Sequence, residues 1–289
     1  LCSIIWGSTY FVITIQISQA SPLVTVFWRF VLSSAIMFGY LFWSKQNLKF
    51  DTKTHFWFFL QGVFNFSINY MLTYWSETFI KSGVLAIMFT TMVYFNIFFS
   101  WLFFKKPTTW KVIVGSILGG LGIILIFKDD LTVTSTSKEF FGLMLGLLAA
   151  LSASMGNMIS VRNINKGITI SAANSYGMVY GTLFTGIAIL VLGTPWTLPL
   201  NFSFLTSLLY LSILGTVIAF AAYNTLLKTI GAEKAVYTTI ISPILAILIS
   251  YFFEQLNLAP SMIFGIILCL AGNVLVLYKP KVKENKGVL

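Results

Sequence analysis

Long apolar segments, separated by short polar or charged breaks, follow one another along the whole chain. A helix needs about 20 apolar residues to cross a bilayer, and most of these segments approach that length. Strands of a membrane barrel would alternate apolar and polar residues, which these segments do not. The breaks predict ten spans, at residues 1–18, 22–43, 56–76, 83–104, 109–127, 140–161, 170–193, 203–227, 235–253 and 261–278. We therefore predict an all-α integral membrane protein with ten transmembrane helices.

The composition argues against a soluble globular domain. Of 289 residues, 57% are hydrophobic and 9% are charged, and the mean hydropathy is +0.89, whereas soluble domains carry about 25% charged residues. The net charge is +10, but the basic residues stand in short groups between apolar segments. We expect membrane topology, and not nucleic acid, to explain them. The chain begins at Leu1 within an apolar run, so we expect a short N-terminal leader to be missing; no cleavable signal peptide is visible.

Redox, metal and catalytic motifs are not evident in the sequence. Cys2 and Cys269 lie in apolar segments near opposite ends of the chain, without a histidine at metal-ligand spacing. We interpret both as small core residues and expect no metal or cofactor. The GxxxxGK pattern of a phosphate-binding loop does not occur, and the single histidine, His55, has no partner in a catalytic motif. An enzyme is therefore not expected.

Lys and Arg residues are distributed unequally between the two sides of the predicted membrane. With the N-terminus in the cytoplasm, fourteen fall in cytoplasmic loops or the tail, three fall in outer loops, and Arg29 lies inside a span; these are all 18 basic residues. Cytoplasmic loops of membrane proteins carry an excess of Lys and Arg. We therefore predict that both termini are cytoplasmic, in a bacterial inner membrane.

The second half of the chain repeats features of the first half at a shift of about 150 residues. The matches are Ser100 with Ser250, Gly115 with Gly265, Gly122 with Gly272, and Trp6-Gly7 with Met155-Gly156. Each half has five predicted spans, so two such halves in tandem would cross the membrane in opposite directions, as in many carriers. We predict a first repeat at residues 1–127, a connecting loop at 128–139, a second repeat at 140–278 and a basic cytoplasmic tail at 279–289.

Three segments resemble a known family. They are IWGSTYFVI in the first span, SPLVTVFWRF at the start of the second, and SPILAILISYFFE in the ninth. The chain resembles, over nearly its whole length, the EamA-type transporters of the drug/metabolite transporter superfamily. The resemblance implies ten helices in two inverted repeats, cytoplasmic termini, and transport of small metabolites such as amino acids or their derivatives, often as export.

The fourth span departs from the family pattern. Family members commonly carry a proline in this span and an acidic residue at its cytoplasmic end. This chain has TTMVYFNIFFSWLFFKK there, with Lys105 and Lys106 at the place of the acidic residue. We therefore expect no function tied to that carboxylate in the first half.

Polar residues within spans are costly in lipid and so are candidates for a site. Four of them recur every fourth residue in the third span, namely Gln61, Asn65, Asn69 and Thr73. This spacing places them on one helix face, which we expect to face the bundle interior. Asn65 and Asn69 would either hydrogen-bond a polar substrate or tie neighbouring helices together.

Further candidates for substrate binding are side chains with an amide, or with an aromatic ring that carries a polar group. They are Trp6, Tyr94, Asn157, Tyr223, Asn224 and Tyr237. Chance placement is the alternative for the aromatic residues, because aromatic residues make up 17% of the chain.

Arg29 is a charged residue well inside a predicted span, where a bilayer-centre position costs about 2.5–3.5 kcal/mol on insertion scales. It follows Pro22 by seven residues, in the outer third of the membrane, and Glu77 and Glu254 end helices on the same side. We expect Arg29 to pair with one of these carboxylates or to extend towards it. Attraction of an anionic substrate is the alternative.

Pro243 lies in the middle of the ninth predicted span, where it removes a helix hydrogen bond and is expected to bend the helix. The bend would form a hinge or a substrate contact, or would only shape the helix. Gly115 and Gly119 form a GxxxG pair, which permits close helix packing within one chain or in a homodimer.

The acidic residues all stand in loops, at span ends or in the tail, and none is predicted at mid-membrane depth. Proton pumps commonly use a buried carboxylate. We therefore expect a facilitator, exchanger or exporter that works by alternating access, with a small-molecule solute and membrane lipids as partners. A lipid or amphiphile flippase and a non-transporting membrane scaffold are the alternatives.

Overall fold

Helices form the regular structure of this chain. The computed structural model describes residues 1–105, 109–126, 128, 138–230 and 238–277, without the side chains of residues 224, 227–230 and 239. No strand occurs in these ranges. Most of the predicted connecting loop, the predicted tail, Tyr237 and the side chain of Asn224 lie outside the described residues.

The helices follow the predicted spans closely, with ends that differ by a few residues. Within the described ranges, seven are uninterrupted α-helices: α1 (Cys2–Ile17), α2 (Pro22–Trp43), α5 (Trp110–Ile126), α6 (Lys138–Asn165), α7 (Ile170–Val191), α9 (Thr238–Phe253) and α10 (Pro260–Leu277). Three others change their winding along their length. α3 comprises Thr52–Gln61, a π-helix at Gly62–Ile68, and Asn69–Ser76; α4 comprises Ser82–Met88, a 3₁₀ turn at Phe89–Thr91, and Met92–Phe104; α8 comprises Phe202–Leu209, a π-helix at Tyr210–Ile218, and Ala219–Ile230.

Capping residues fix several of the helix starts. The side chain of Asp51 accepts a hydrogen bond from the backbone N–H of Thr54 at 3.0 Å, and Asn201 accepts one from Phe204 at 2.9 Å. These bonds satisfy backbone donors that lack a partner in the first turn of a helix. Hydrogen bonds from Thr54 also hold the pKa of the Asp51 carboxyl below its usual range.

The outer surface of the bundle is apolar. Within the described residues, six helical stretches are long and apolar enough to cross a membrane: Pro22–Trp43, Ser82–Phe104, Lys138–Asn165, Ile170–Val191, Phe202–Tyr223 and Pro260–Leu277. α1, α5 and residues Ile240–Phe253 of α9 are shorter apolar helices. α3 is more polar, because its stripe of amides and hydroxyls lowers its hydropathy.

α5 illustrates how the helices are oriented. It exposes Ile113, Ile117 and Leu121 on one face and buries Gly115 and Gly122 on the other. Large apolar side chains thus point outwards, and the small residues point into the bundle. An exposed apolar surface of this kind is typical of a protein that lies in lipid.

The largest helix contacts are matched when the first five helices are exchanged with the last five. α5 packs on α10, α4 on α9 and α2 on α7, so each of these contacts joins two helices at equivalent positions in the two halves. The other large contacts form matched pairs: α1–α9 with α6–α4, α3–α7 with α8–α2, and α3–α6 with α8–α1. The π segments also lie in equivalent helices, α3 and α8.

Glycines allow α5 and α10 to approach each other closely. A Cβ at Gly115 would lie 2.7 Å from the carbonyl oxygen of Gly272, and one at Gly272 would lie 2.6 Å from that of Gly115. Real Cβ atoms do not come this close to a carbonyl, so the contact requires glycine. The predicted GxxxG pair therefore begins with a residue that packs within this chain.

Candidate functional site

The polar stripe of α3 lies inside the bundle. Gln61, Asn69 and Thr73 are buried, and Asn65 is half-buried. The Asn69 amide donates to the backbone carbonyl of Asn65 at 3.2 Å, and its side-chain oxygen accepts from Thr73 at 3.4 Å. Both contacts lie within one helix, so they favour a structural role for Asn69 over substrate binding.

Gln61 joins α3 to α6 and α7. Its amide donates to Oδ1 of Asn174 at 2.9 Å, and its carbonyl oxygen accepts from Nδ2 of Asn163 at 2.8 Å. Arg162 donates to Oδ1 of Asn163 at 2.9 Å and lies 4.4 Å over the ring of Trp57. We call Gln61, Asn163 and Asn174 the amide clamp, because they connect three helices through buried hydrogen bonds.

Arg29 is buried, with 2% of its surface exposed, and makes hydrogen bonds with uncharged groups. Its Nε and Nη2 donate to the Thr216 hydroxyl at 3.3 and 3.2 Å, and its Nη1 donates to the Tyr74 hydroxyl at 3.1 Å. The guanidinium also lies 4.7 Å over the ring of Tyr70. We call Arg29, Tyr74 and Thr216 the arginine clamp, which connects α2, α3 and α8.

The expected pairing of Arg29 with Glu77 or Glu254 is not what the structure shows. Among the described residues, neither carboxylate oxygen of Glu77 has a hydrogen-bond partner, and Glu254 accepts from the hydroxyl of Ser82. The N–H groups of Arg29 instead donate to the hydroxyls of Tyr74 and Thr216, and Arg29 acts on Glu77 through electrostatic attraction without a hydrogen bond.

The π-helix of α8 explains why Thr216 faces Arg29. The Thr216 hydroxyl donates to the carbonyl of Leu211, five residues earlier, at 2.9 Å, which is the spacing of a π turn. Its lone pairs remain for the two N–H groups of Arg29. Ser212, in the same segment, donates to the backbone carbonyl of Arg29 at 3.2 Å.

Asparagines from three helices lie near each other where α3, α4 and α6 meet. Asn157 on α6 places Nδ2 3.5 Å from Oδ1 of Asn96 on α4, and Ser154 donates to the same Oδ1 at 2.9 Å. Asn65 on α3 packs against Gly156, where an added Cβ would lie 2.6 Å from the Cβ of Asn65. We call Asn65, Asn96 and Asn157 the asparagine cluster.

The hydrogen bonds of the asparagine cluster are incomplete. The Nδ2 group of Asn157 lies 3.5 Å from Oδ1 of Asn96, at the long limit of hydrogen bonding, and 3.6 Å from the sulfur of Met92, which is a weak acceptor. All three asparagines are half-buried. Their amides therefore retain donor and acceptor capacity for a ligand. The sequence pattern indicated Asn65 and Asn157 as candidates but not Asn96.

Among the aromatic candidates, Trp6 and Tyr223 lie together, with ring centroids 5.2 Å apart. Phe220 lies 5.9 Å from Trp6 and completes an aromatic wall between α1 and α8. Tyr94 packs elsewhere: its hydroxyl is 2.7 Å from the Cβ positions of Gly119 and Gly272 in the α5–α10 contact. Its surroundings favour packing over substrate binding.

Pro243 lies within α9, as predicted. α1 passes close to this part of α9, because a Cβ at Gly7 would lie 2.8 Å from the carbonyl oxygen of Ser242. Pro243 therefore stands beside a close helix contact.

A cavity of about 620 Å³ lies where α1, α3, α5 and α9 end and α4, α6 and α10 begin. Among the described residues, its charged lining consists of Glu77, Lys81, Glu139 and Glu254, and we call it the acidic cavity. Its volume is in the range of small-molecule sites. The candidate site residues from the sequence whose side chains the structure describes do not line this cavity.

Glu77 is the buried member of this lining, with 7% of its surface exposed. Sequence analysis placed it at a helix end, which is correct, but did not predict that the side chain turns into the protein. Sequence reasoning also did not foresee that helix ends far apart in the chain would form one cavity.

Comparison with known proteins identifies the class of this chain. The sequence profile of the EamA-like transporter family matches residues 1–128 and 140–278. The chain therefore belongs to the EamA-like transporter family, as the resemblance indicated, and it is an integral membrane protein.

Relatives that match most of the chain are found in several bacteria. The chain is 26% identical over 250 residues to the "Uncharacterized inner membrane transporter YedA" of Escherichia coli (strain K12), covering 85% of this chain and 78% of the relative. It is 22% identical over 274 residues to "Protein PecM" of Dickeya dadantii (strain 3937), covering 94% of this chain and 88% of the relative. A solved crystal structure matches with a TM-score of 0.68 at 12% identity, covering 95% of this chain and 93% of that one. This last match shows the fold alone.

Proposed function

We propose that the chain transports small metabolites, amino acids or related compounds, by alternating access across a bacterial inner membrane. In this proposal ten helices cross the membrane as two inverted repeats, at residues 1–127 and 140–278, with both termini in the cytoplasm. Transport proceeds as facilitation, exchange or export. The observation that carries the proposal is that the largest helix contacts are matched when the two halves are exchanged, because carriers with inverted repeats use two such equivalent arrangements.

The two clamps support this mechanism. The contact of Arg29 with Thr216 joins α2 to α8, and the contact of Asn174 with Gln61 joins α7 to α3, which are equivalent pairs of helices. Along α3, Tyr74 follows Gln61 by 13 residues, about 20 Å at 1.5 Å per residue. The clamps therefore act at different depths. Each one would close the transport path near one face of the membrane.

The asparagine cluster supplies the site between the clamps. Along α3, Asn65 lies between Gln61 and Tyr74. It packs against Gly156, the residue that precedes Asn157 on α6. Neutral amides both donate and accept hydrogen bonds, so they suit the polar groups of small metabolites. The wall of Trp6 and Tyr223 would pack against apolar parts of the solute.

The test is solute uptake into liposomes that contain the purified protein. A panel of radiolabelled amino acids, amines and related metabolites is offered, and protein-free liposomes serve as the control. We expect saturable uptake of at least one solute, reduced at least tenfold in Asn157→Ala. Movement of fluorescent lipids between leaflets, without uptake of any solute, would contradict the proposal and favour a flippase.

A further inference from the structure

We propose that the acidic cavity binds small organic cations carrying a protonated or quaternary ammonium group, with Glu77 as their anionic partner. This inference rests on the proposed transport function and names a substrate class for it. It also assigns a role to a part of the molecule that lies apart from the asparagine cluster.

Glu77 occupies a position that is unfavourable for a carboxylate without a ligand. It is 7% exposed, and both of its carboxylate oxygens lack a hydrogen-bond partner among the described residues. It also follows the last residue of α3, Ser76, where the helix dipole disfavours negative charge. A buried charge without hydrogen bonds is costly, so a cation that enters the cavity would gain a strong partner.

The protein's own cations do not satisfy Glu77. Arg29 acts on it electrostatically, but the Arg29 N–H groups donate to Tyr74 and Thr216. Lys81 lines the same cavity and is exposed to solvent. Neither of them forms a hydrogen bond with the Glu77 carboxylate.

The rest of the cavity adds negative charge. Glu139 and Glu254 line it together with Glu77, and Lys81 is the cation among the lining residues that the structure describes. Glu254 directly follows α9 and acts electrostatically on Glu77. The cavity is thus negative in a chain whose net charge is +10. A concave surface of one sign raises the local concentration of the opposite ion.

The distribution of donors favours an organic cation over a metal ion. In the described part of the chain, no three His, Cys, Asp or Glu side chains lie close enough together to hold a metal. The carboxylates are instead spread over a wall that also contains Ile80, Val84, Ile126 and Met262. Such a wall pairs with an ammonium group at one point and packs against alkyl groups elsewhere.

Binding to the purified protein in detergent tests the inference directly. Tetramethylammonium, propylammonium and hexylammonium chlorides are titrated by calorimetry, and propionate and hexanoate serve as anionic controls of similar size. NaCl controls for ionic strength. We expect at least one ammonium ion to bind saturably and to raise the Tm, since a ligand that binds only the folded state stabilises it. The carboxylates should do neither.

Variants locate the site. We expect Glu77→Gln to weaken ammonium binding at least tenfold and Glu139→Gln, at an exposed position, to weaken it less than threefold. Asp51→Asn removes a carboxylate outside the cavity and keeps a good helix cap, so it should bind as the unaltered protein does. Glu77→Gln replaces a buried carboxyl group that has no hydrogen-bond partner among the described residues, and it should fold with an unchanged or higher Tm. If it does not fold, Glu77→Asp, which keeps the charge on a shorter side chain, should still weaken binding.

Two results would overturn the inference. One is the absence of saturable binding by all three ammonium ions; the other is binding that Glu77→Gln and Glu77→Asp leave unchanged. These results are distinct from a failure of transport. A protein that moves neutral solutes but binds no ammonium ion retains the proposed function without this substrate class. A protein that binds ammonium through Glu77 but moves no solute retains the cation site without the proposed function.

Discussion

Gly122 of α5 and Gly265 of α10 face each other reciprocally: a Cβ built on either residue would lie 2.5 Å from the carbonyl oxygen of the other. Gly115 and Gly272 repeat this relationship further along the same two helices. The sequence shift of 150 residues pairs Gly115 with Gly265 and Gly122 with Gly272. Gly115 therefore packs on Gly272, which is the equivalent of Gly122. In the same way Gly122 packs on Gly265, which is the equivalent of Gly115, as expected for two helices related by a two-fold axis.

We predict that Gly122→Ala and Gly265→Ala each lower the Tm of the detergent-solubilised protein, because the added methyl group would force α5 and α10 apart. Overpacking of this kind costs about 1–3 kcal/mol. Gly120→Ala on the same helix is the matched control, since no heavy atom lies within 4 Å of its Cβ position. Equal Tm values for Gly120→Ala and Gly122→Ala would contradict the close contact.

We predict that Thr216→Val lowers the Tm, because it leaves two N–H groups of the buried Arg29 guanidinium without their acceptor. An unsatisfied buried donor costs about 1–3 kcal/mol. Thr206→Val, at an exposed position on the same helix, should have little effect. Adding Arg29→Met to Thr216→Val should cost less than the sum of the single changes, since the two residues share one interaction. Strict additivity would argue against the arginine clamp.

We predict that Gln61→Leu destabilises the protein more than Asn69→Leu. Gln61 hydrogen-bonds to two other helices, through Asn163 and Asn174, whereas the hydrogen bonds of Asn69 stay within α3. Thermal unfolding followed by size-exclusion chromatography measures the difference. A larger loss of Tm in Asn69→Leu would reverse the assignment.

We predict that Asn96→Ala and Asn157→Ala reduce solute uptake at least tenfold while changing the Tm little, because the hydrogen bond between the two residues is long. Asn69→Ala should reduce uptake less, since its amide is used within its own helix. Asn47→Ala, in the loop before α3, controls for expression and reconstitution. Normal uptake in both cluster variants would exclude the asparagine cluster as the solute site.

Sequence patterning predicted the helices well, because apolar length and polar breaks decide where a membrane helix begins and ends. Pro22 starts α2, and the polar segment before Asp51 separates α2 from α3. The glycines of α5 and α10 were visible as a repeat for a similar reason: close helix approach requires small residues at fixed spacing.

Partners across helices were harder to predict. Arg29 was expected to reach a carboxylate, but the π winding of α8 brings Thr216 to it, and hydrophobic patterning does not indicate such winding. Asn96 stands in an aromatic-rich stretch without polar periodicity, so it was missed. The burial of Glu77 depends on helix ends that are distant in the chain and meet only in the folded bundle.

Solute counterflow in proteoliposomes tests the central claim of alternating access most directly. Vesicles are loaded with an excess of an unlabelled solute identified by the uptake panel and are diluted into medium with a trace of the labelled solute. We predict that labelled solute transiently accumulates above its equilibrium level, because a carrier returns loaded from the inner face. A steady approach to equilibrium without such an overshoot, or no movement at all, would contradict alternating access by this protein.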